Sequence, residues 1–351
     1  MSVSYVMEYK KLGNTGTLVS ELCLGTMTFG GQTSESDARK IMDRYVEEGG
    51  IFFDTANVYT GGKSEEILGN WLHDHDRDDY VVATKVRFQS GKSKNSLGLG
   101  RKHIMKSVEE SLRRLKTGYI DLLQVHAWDP LTPLEETLDT LTGLVEKGLV
   151  RYIGASNFRA WQFEKALGVS REHDLENFVS IQPQYNLLSR STENEIIPMA
   201  VHENIAVFPW SPLKSGILSG KYSKEMKAPP EGTRLGDSYK SGVKTSWELN
   251  NNEYTWNVVS ALTKVAKKVG KTNSQVALNW LLSRKGVTSP IIGVRTIDHL
   301  NDNLGCLGWK LNKEEMKQLN DASRMHVTYP YDLWAENQQR RQRLDDLDEL
   351  D

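Results

Sequence analysis

The feature that most limits the fold is a pattern repeated along the chain: a short apolar run, a polar residue, then a helix-like segment. The pattern occurs eight times, beginning with ELCLGT followed by SESDARKIMDRYVEEG and ending with VTSPIIG followed by TIDHLNDNLG. Successive strand ends up to Trp210 lie 26 to 41 residues apart, close to the roughly 30 of a strand and its crossover helix, whereas the last gap, from Trp210 to Gly293, is 83 residues. The strand ends predicted in this way are Gly25, Asp54, Lys85, His126, Ser156, Gln182, Trp210 and Gly293.

Eight strands that alternate with helices predict an α/β fold, a (β/α)8 TIM barrel. A doubly wound sheet is the alternative, but no GxGxxG motif follows the first strand. Residues 8–21, with the turn-prone GNTG, predict an N-terminal β-hairpin that closes the bottom of the barrel. We expect residues 1–351 to form a single barrel domain with a long loop after strand 7, at 213–250, and a C-terminal extension at 327–351.

Composition excludes several classes of protein. The 44 Lys and Arg residues are interleaved with 46 Asp and Glu residues, so the chain lacks the basic stripe of a nucleic-acid-binding protein. Cys23 and Cys306 are too few for a disulfide framework and have no metal-ligand spacing, so both are predicted to be core thiols and no metal site is expected. The N-terminus has no apolar signal region and no stretch has the length of a membrane span. We therefore predict a cytoplasmic location and no membrane partner, and a homo-oligomer is left open.

Four residues near the predicted strand ends form a set suited to proton transfer. Tyr59 follows Asp54 by five residues, Lys85 ends the third strand and His126 ends the fourth. A phenol has a pKa of about 10, so Tyr59 can act as an acid at neutral pH if Lys85 stabilises the tyrosinate and Asp54 holds the lysine. His126 can donate a hydrogen bond to a carbonyl oxygen. These are the groups required to reduce a carbonyl.

None of these residues supplies two electrons, so a hydride donor must bind. Ser156, Asn157 and Gln182 carry groups that match a carboxamide, and Trp210 offers a flat ring. This combination suits a nicotinamide cofactor.

The chain resembles the aldo-keto reductase family over nearly its whole length, from KLGNTGTLVSELCLGTMTFGG to IIGVRTIDHLNDNLG. The family's catalytic tetrad falls on FDTANVY, ATK and LLQVH, at Asp54, Tyr59, Lys85 and His126. The nicotinamide-binding segments fall on GASNF, SIQPQYN and WSPL, and the stacking Trp210 resembles bacterial-type members. The resemblance implies NADPH-dependent, reversible reduction of a small aldehyde or ketone, with hydride from the nicotinamide and a proton from Tyr59.

The resemblance also implies a set of cofactor contacts. The 213–250 loop would cover the cofactor, with its first residues along the pyrophosphate, and His299 stands where relatives frequently carry Gln. Arg295 suggests a preference for NADPH, because a guanidinium can pair with the 2′-phosphate that NADH lacks. The implied cofactor contacts are Thr26, Asp54, Ser156, Asn157, Gln182, Trp210, Ser211, Leu213, Ser215, Lys221, Arg234, Gly293, Arg295, His299 and Asn303.

Two other functions are compatible with parts of the pattern. Potassium-channel β subunits share this fold and the WSPL segment, so a regulatory NADPH-binding subunit with little turnover is the main alternative; the resemblance implies Asn in those proteins at the position of His126. A lyase or isomerase that uses Lys85 as a Schiff base leaves Tyr59, Gln182 and Trp210 without a purpose. The natural substrate cannot be read from the chain, but four aromatic residues are candidates for its mouth: Phe29, Phe88, Trp128 and Trp247.

Overall fold

The computed structural model describes residues 7–242 and 245–332, and its centre is one sheet of eight parallel strands. An antiparallel pair precedes that sheet: β1 (Tyr9–Lys11) and β2 (Leu18–Ser20). The strands of the main sheet are β3 (Cys23–Gly25), β4 (Phe52–Asp54), β5 (Val81–Val86), β6 (Ile120–Val125), β7 (Val150–Ser156), β8 (Phe178–Gln182), β9 (Ala206–Val207) and β10 (Ile291–Gly293). Their order across the sheet is β10-β3-β4-β5-β6-β7-β8-β9, so each strand from β3 to β9 lies beside the next in sequence.

Hydrogen bonds between the two remaining edges bring the sheet round on itself. The amide of Thr288 donates to the carbonyl oxygen of Val207 at 3.0 Å, and that of Ile291 donates to Pro209 at 2.9 Å. Val207 and Val287 also form a parallel bridge. These contacts join β9 to the segment leading into β10, as the predicted (β/α)8 TIM barrel requires.

Helices connect the strands, as the repeated pattern predicts. The α-helices are α1 (Glu35–Glu47), α2 (Lys63–Leu72), α3 (Arg101–Leu115), α4 (Leu134–Glu146), α5 (Ala160–His173), α6 (Ile196–His202), α7 (Arg234–Lys240), α8 (Thr245–Asn250), α9 (Glu253–Val269), α10 (Asn273–Leu282), α11 (Ile297–Leu304) and α12 (Lys313–Ala322). Many begin with a side-chain cap that satisfies a free backbone amide. Ser34, for example, accepts from the amide of Asp37 at the start of α1, and Thr272 forms a capping box with Gln275 at the start of α10.

The N-terminal hairpin lies across one end of the barrel, as predicted. Leu12 and Val19 are fully buried and belong to the apolar cluster that fills the barrel, with Phe52, Leu122 and Phe208 among its members. Gly13 has a φ of 57°, and a Cβ at that position would collide with the backbone of Val179 at the start of β8. The hairpin therefore closes the end of the barrel at which the strands begin, and leaves the other end for a site.

The long segment after β9 contains more structure than the sequence suggests. Its Gly, Ser, Lys and Pro content predicts a loop without regular structure until about Glu253, but α7 and α8 both lie within 213–250. Thr233 caps α7 through its hydroxyl, which accepts from the amide of Gly236. None of the described helices is long and apolar enough to cross a membrane. Of the predicted C-terminal extension, residues 333–351 lie outside the described part of the chain.

Contact between α2 and α3 generates a stability prediction, because Gly69 of α2 lies against the backbone of α3. A Cβ at Gly69 would collide with the carbonyl oxygen of Arg114 and lie 2.6 Å from Cα of Leu115. We expect Gly69→Ala to lower the free energy of unfolding by about 1–3 kcal/mol, because backbone cannot move aside as a flexible side chain does. Urea denaturation measures this change.

Gly143 is the matched control, since it occupies the same position in α4, three residues before the helix ends, with no atom within 4 Å of an added Cβ. Gly143→Ala should raise the free energy of unfolding by up to about 1 kcal/mol through helix propensity. Equal effects of the two substitutions would contradict the packing argument.

Candidate active site

A cavity of about 460 Å³ lies at the end of the barrel where the strands finish. Residues from β3, β4, β7, β8 and β10 and from the loops that follow the strands form its wall, and Arg234 of α7 contributes from the long segment after β9. Because parallel strands end together, the strand-end residues predicted from the sequence are brought to one place. Register fixes their order: Asp54 lies beside Gly25, Lys85 beside Gln124 and Ser156 beside Gln182.

A buried ion pair between Lys85 and Asp54 lies at the base of the cavity. The ammonium Nζ of Lys85 is 2.5 Å from Oδ1 of Asp54, and the two side chains are 0% and 4% exposed. The same Nζ donates to the carbonyl oxygen of Thr55 at 2.7 Å and to the Tyr59 hydroxyl at 3.2 Å. Burial lowers the pKa of Lys85, but Asp54 and Tyr59 outweigh burial and the pKa is raised overall. Lys85 is therefore a fixed cation with all three of its donors used.

The other oxygen of Asp54 is held by two amides. Oδ2 accepts from Nε2 of Gln182 at 2.8 Å and from Nε2 of Gln124 at 3.3 Å. A buried carboxylate needs such partners to offset its loss of hydration. Gln182 thus contacts Asp54 while it also lines the cavity, and Gln124 is a supporting residue that the sequence did not single out.

Tyr59 lies above the ion pair because the chain reverses immediately after it. Thr60, Gly61 and Gly62 have φ values of 48°, 66° and 95°, so three successive left-handed residues turn the chain from Tyr59 into α2. Burial raises the pKa of the Tyr59 phenol, Lys85 opposes that rise, and the pKa remains above its usual value. The sequence predicts that Lys85 controls this pKa; in the structure burial outweighs Lys85, so the phenol is protonated at neutral pH.

His126 completes the group as a neutral imidazole. Burial, with added repulsion from Lys85 and Arg87, lowers the pKa of His126 to about 2. Its ring centroid lies 5.8 Å from that of Tyr59 and 4.6 Å from that of Phe88. Nδ1 is buried and has no hydrogen-bond partner among the described residues. Protonation would be costly at any physiological pH, so His126 can donate a hydrogen bond but cannot act as a titrating acid.

The amide-bearing residues predicted to hold a nicotinamide form a connected set on the adjacent wall. Nδ2 of Asn157 donates to the carbonyl oxygen of His126 at 2.9 Å, and Nε1 of Trp210 donates to Oδ1 of Asn157 at 3.0 Å. Oγ of Ser156 donates to the carbonyl oxygen of Gln182 at 2.9 Å. These bonds connect β7, β8 and the segment after β9, and they fix the position of the indole N–H of Trp210.

Three basic side chains and one imidazole also lie on the cavity wall. They are Arg234, Arg295, Lys221 and His299. Burial and the charge of Arg295 lower the pKa of Arg234 and that of Lys221, and burial, Lys221 and Arg295 lower the pKa of His299. A group of basic side chains close enough for Arg295 to lower the pKa of its neighbours is suited to bind an anion.

Most of the predicted cofactor residues lie on the cavity wall, and one does not. Ser211, Leu213, Ser215, Gly293 and Asn303 line the cavity together with the residues already described. Thr26 is the exception: its side chain is fully buried, where its hydroxyl donates to the carbonyl oxygen of Asp54 and contacts the hydroxyl of Ser64 at 2.7 Å. The Thr26 side chain is therefore better explained as support for β4 and α2 than as a ligand contact.

Several wall residues escaped the sequence argument. Met27 and Thr28 are the second and third residues after the predicted strand end at Gly25, so extending each strand end by three positions would have found them. Gly232 and Thr233 precede α7, a helix that the sequence argument missed, and Ser274 and Asp302 approach from α10 and α11.

Of the aromatic residues predicted at a substrate mouth, Phe88 lines the cavity. Phe29 and Trp247 are buried in the apolar core, so for them the prediction was wrong. Trp128 packs on Phe158 and Trp161 and is not part of the cavity wall.

The residues present are compatible with a nicotinamide adenine dinucleotide cofactor. The cavity volume lies within the range of ligand pockets, and its wall carries the amide residues, Tyr59 and three basic side chains. Nη2 of Arg295 is buried without a hydrogen-bond partner in the described residues, so a buried donor is free for an acceptor. No atom lies within 4 Å of a Cβ built on Gly293, which leaves room beside that strand end. Within residues 7–242 and 245–332, no group of three or more His, Cys, Asp or Glu side chains could hold a metal.

Comparisons with known proteins agree with this geometry. The family model described as the aldo/keto reductase family matches residues 21–324. A probable voltage-gated potassium channel subunit beta of Arabidopsis thaliana is 36% identical over 85% of this chain and 90% of its own. Norsolorinic acid reductase stcV of Emericella nidulans is 36% identical over 94% of this chain and 85% of its own. An aryl-alcohol dehydrogenase (NADP(+)) of Phanerodontia chrysosporium is 34% identical over 92% and 87%.

The buried ion pair generates a prediction about stability. Asp54→Asn leaves the Lys85 ammonium without its counter-charge, and Lys85→Met leaves the Asp54 carboxylate with only two neutral amides. We expect each substitution to lower the free energy of unfolding at pH 7 by about 3–5 kcal/mol. The double variant should lose at least about 1 kcal/mol less than the sum, because it leaves no unpaired charge behind.

The exposed pair between Lys317 and Asp321 is the control, at 2.6 Å and with side chains 75% and 49% exposed. The corresponding single substitutions, Lys317→Met and Asp321→Asn, should each change stability by less than about 1 kcal/mol. Additive losses at Asp54 and Lys85, in the same denaturation experiment, would show that the two charges do not depend on each other.

Proposed function

The chain belongs to the aldo/keto reductase family, and on this premise we propose that it is an NADP-dependent oxidoreductase that reduces an aldehyde or ketone to an alcohol, reversibly. The observation that carries the proposal is the position of the Tyr59 hydroxyl, 3.2 Å from the Lys85 ammonium and beside the neutral imidazole of His126. Tyr59 and His126 line the same cavity as the residues suited to a nicotinamide, and Lys85 is fully buried next to Tyr59.

Tyr59 is the proposed proton donor. Its raised pKa keeps the phenol protonated at neutral pH, which is the state that a general acid needs before reaction. When the proton leaves, negative charge appears on the phenol oxygen at hydrogen-bond distance from Nζ of Lys85, which is held in place by Asp54. The Lys85 cation thus acts on the product of proton transfer and stabilises the tyrosinate as it forms.

His126 is proposed to hold the carbonyl oxygen. Because its pKa is about 2, the ring is neutral and has one N–H to donate. Nδ1 is buried, so the proton that serves a substrate must be carried by Nε2. A hydrogen bond from Nε2 would orient the carbonyl oxygen toward Tyr59 and reduce the energy of the charge that develops on it.

The remaining wall residues are proposed to bind the cofactor, NADPH or NADP. Asn157, Ser156 and Gln182 would hold the nicotinamide amide, with the Trp210 ring stacked on it. Lys221, Arg234 and Arg295 would meet the phosphate groups, and the 213–250 segment would cover them. When bound, NADPH supplies the two electrons of the reduction as a hydride to the carbonyl carbon. The printed name of the related aryl-alcohol dehydrogenase includes NADP(+), which supports this cofactor.

A regulatory cofactor-binding subunit is the second candidate. The similarity to the Arabidopsis potassium channel subunit beta favours it. His126 favours the enzyme, because a chain that only bound the cofactor would not need a neutral imidazole next to a buried phenol and lysine. The similarity to a reductase and a dehydrogenase points in the same direction. A small carbonyl compound is therefore the proposed substrate, and a cytoplasmic location stays a prediction from the sequence.

The experiment that tests the proposed function is NADPH oxidation with a panel of aldehydes and ketones, using wild-type protein and Tyr59→Phe. We expect the wild type to turn over at least some of the panel. Tyr59→Phe should lower kcat by about 10²- to 10⁴-fold, the usual contribution of a general acid, while the dissociation constant for NADPH changes by less than about threefold. Loss of the hydroxyl removes the proton but not the ring.

Tyr329→Phe is the matched control, because Tyr329 is 76% exposed and is not part of the cavity wall. Undiminished reduction by Tyr59→Phe would remove Tyr59 from the mechanism. Tight binding of NADPH by a wild type that reduces no member of the panel would favour the regulatory candidate.

A separate prediction concerns the choice between NADPH and NADH. Arg295 has a buried and unpartnered Nη2, and a 2′-phosphate can accept from it. Arg295→Ala should raise the dissociation constant for NADP+ at least about tenfold and change that for NAD+ by less than about threefold, as measured by calorimetry. Equal weakening with both ligands would mean that Arg295 supports the wall and does not contact the phosphate.

A further inference from the structure

Arg295 has a partner that the sequence around it does not reveal. Its Nη1 donates to Oδ2 of Asp237 at 3.1 Å and to the carbonyl oxygen of Gly232 at 3.0 Å. Arg295 follows β10, whereas Asp237 is in the first turn of α7, 58 residues earlier in the chain. Of the two terminal nitrogens of the guanidinium, Nη1 therefore contacts a carboxylate, and Nη2 is buried and free for a ligand.

The Asp237 carboxylate is held from a second side. Nε2 of Gln32, from the segment between β3 and α1, donates to the same Oδ2 at 2.8 Å. Asp237 is not part of the cavity wall, although Arg295, Gly232 and Arg234 are. Asp237 therefore lies behind Arg295 and acts on a ligand through the guanidinium and through its own charge.

The positive charges near the Asp237 carboxylate make its negative charge relevant to ligand binding. Lys221 and Arg234 line the same cavity and carry positive charge, so the wall attracts phosphate groups in general. Asp54 and Asp302 are acidic residues on the wall, but Asp54 is paired with Lys85, and Thr272 and Gln275 already donate to Oδ1 of Asp302. Asp237 is different because its Oδ2 contacts the guanidinium that would meet a 2′-phosphate.

We infer that Asp237 sets how strongly the site distinguishes NADP from NAD, by neutralising part of the charge of Arg295. This inference rests on the proposed function. A 2′-phosphate that bound Nη2 would be attracted by Arg295 and repelled by the carboxylate behind it, whereas the 2′-hydroxyl of NAD would experience little of either effect. Asp237 is thus a positioning residue that moderates cofactor selectivity, and the wild type is less selective than Arg295 alone would make it.

Asp237→Asn isolates the charge, because asparagine has nearly the same size and its amide oxygen can still accept from Arg295 and Gln32. We expect the dissociation constant for NADP+ to fall by at least about fivefold and that for NAD+ to change by less than about twofold, from the like-charge repulsion removed near a phosphate. The dissociation constant for 2′,5′-ADP should fall in parallel, since that probe carries the 2′-phosphate without the nicotinamide. Isothermal titration calorimetry on the full chain measures all three.

Measurement of the dissociation constants at several salt concentrations tests the effect of the Asp237 charge separately from any structural role of this residue. The dissociation constant for NADP+ should rise more steeply with salt in Asp237→Asn than in wild type, because the uncompensated Arg295 contributes a stronger screened attraction. Asp237→Ala removes the acceptor as well as the charge; it should also raise the preference for NADP+ over NAD+, even if both bind more weakly.

Asp298→Asn is the control. Asp298 is an exposed acid in the first turn of α11 and is not part of the cavity wall, so its loss changes the net charge equally without touching Arg295. It should leave the NADP+ to NAD+ ratio within about twofold of wild type. Thermal melting of each variant verifies that it is folded.

The outcomes are separable. An unchanged or reduced preference for NADP+ in both Asp237 variants would overturn the inference, as would the same gain in selectivity from Asp298→Asn. If wild-type protein bound none of NADP+, NAD+ and 2′,5′-ADP, the proposed function itself would fail.

Discussion

The buried contact between the Lys85 ammonium and the Asp54 carboxylate is the interaction on which the candidate site depends. Two opposite charges without solvent exposure are stable only when their remaining hydrogen-bonding positions are filled. Thr55 and Tyr59 complete the lysine, and two glutamine amides complete the aspartate. Residues from several strands must therefore be in register at once, and the phenol of Tyr59 is fixed as part of the same network.

The barrel makes that register available. Adjacent parallel strands place their final residues side by side, so one short polar set per strand becomes a continuous wall. The hairpin fills the opposite end with Leu12 and Val19, which leaves the strand ends as the open face. Stability and chemistry are separated along the barrel axis in this way: apolar side chains occupy its interior, and ionisable side chains lie where the strands stop.

Much of the fold and part of the site could be predicted from the sequence, because both depend on local periodicity. The strand ends at Gly25, Asp54 and Gly293 are found where the pattern places them. Trp210 lies three residues beyond β9, since that strand contains only Ala206 and Val207, although the amides of Phe208 and Trp210 still donate to the carbonyl oxygens of Ile181 and Pro183. Thr26 follows the same pattern but turns its hydroxyl into the structure, and a strand-end position alone does not fix that choice.

Longer-range pairings could not be predicted, because no periodicity links their partners. The pairing of Arg295 with Asp237 needs α7, and the composition of the 213–250 segment conceals that helix. The pKa of Tyr59 could not be predicted for a similar reason. The sequence shows Lys85, which lowers this pKa, but not burial, whose larger effect raises it. One consequence joins the two parts of the site. Next to the phenol, Lys85 and Asp54 compensate each other's charge. Lys221, Arg234 and Arg295 place three cations on the same wall, and Asp237 neutralises part of the charge of one of them, which leaves positive charge for a phosphate-bearing ligand.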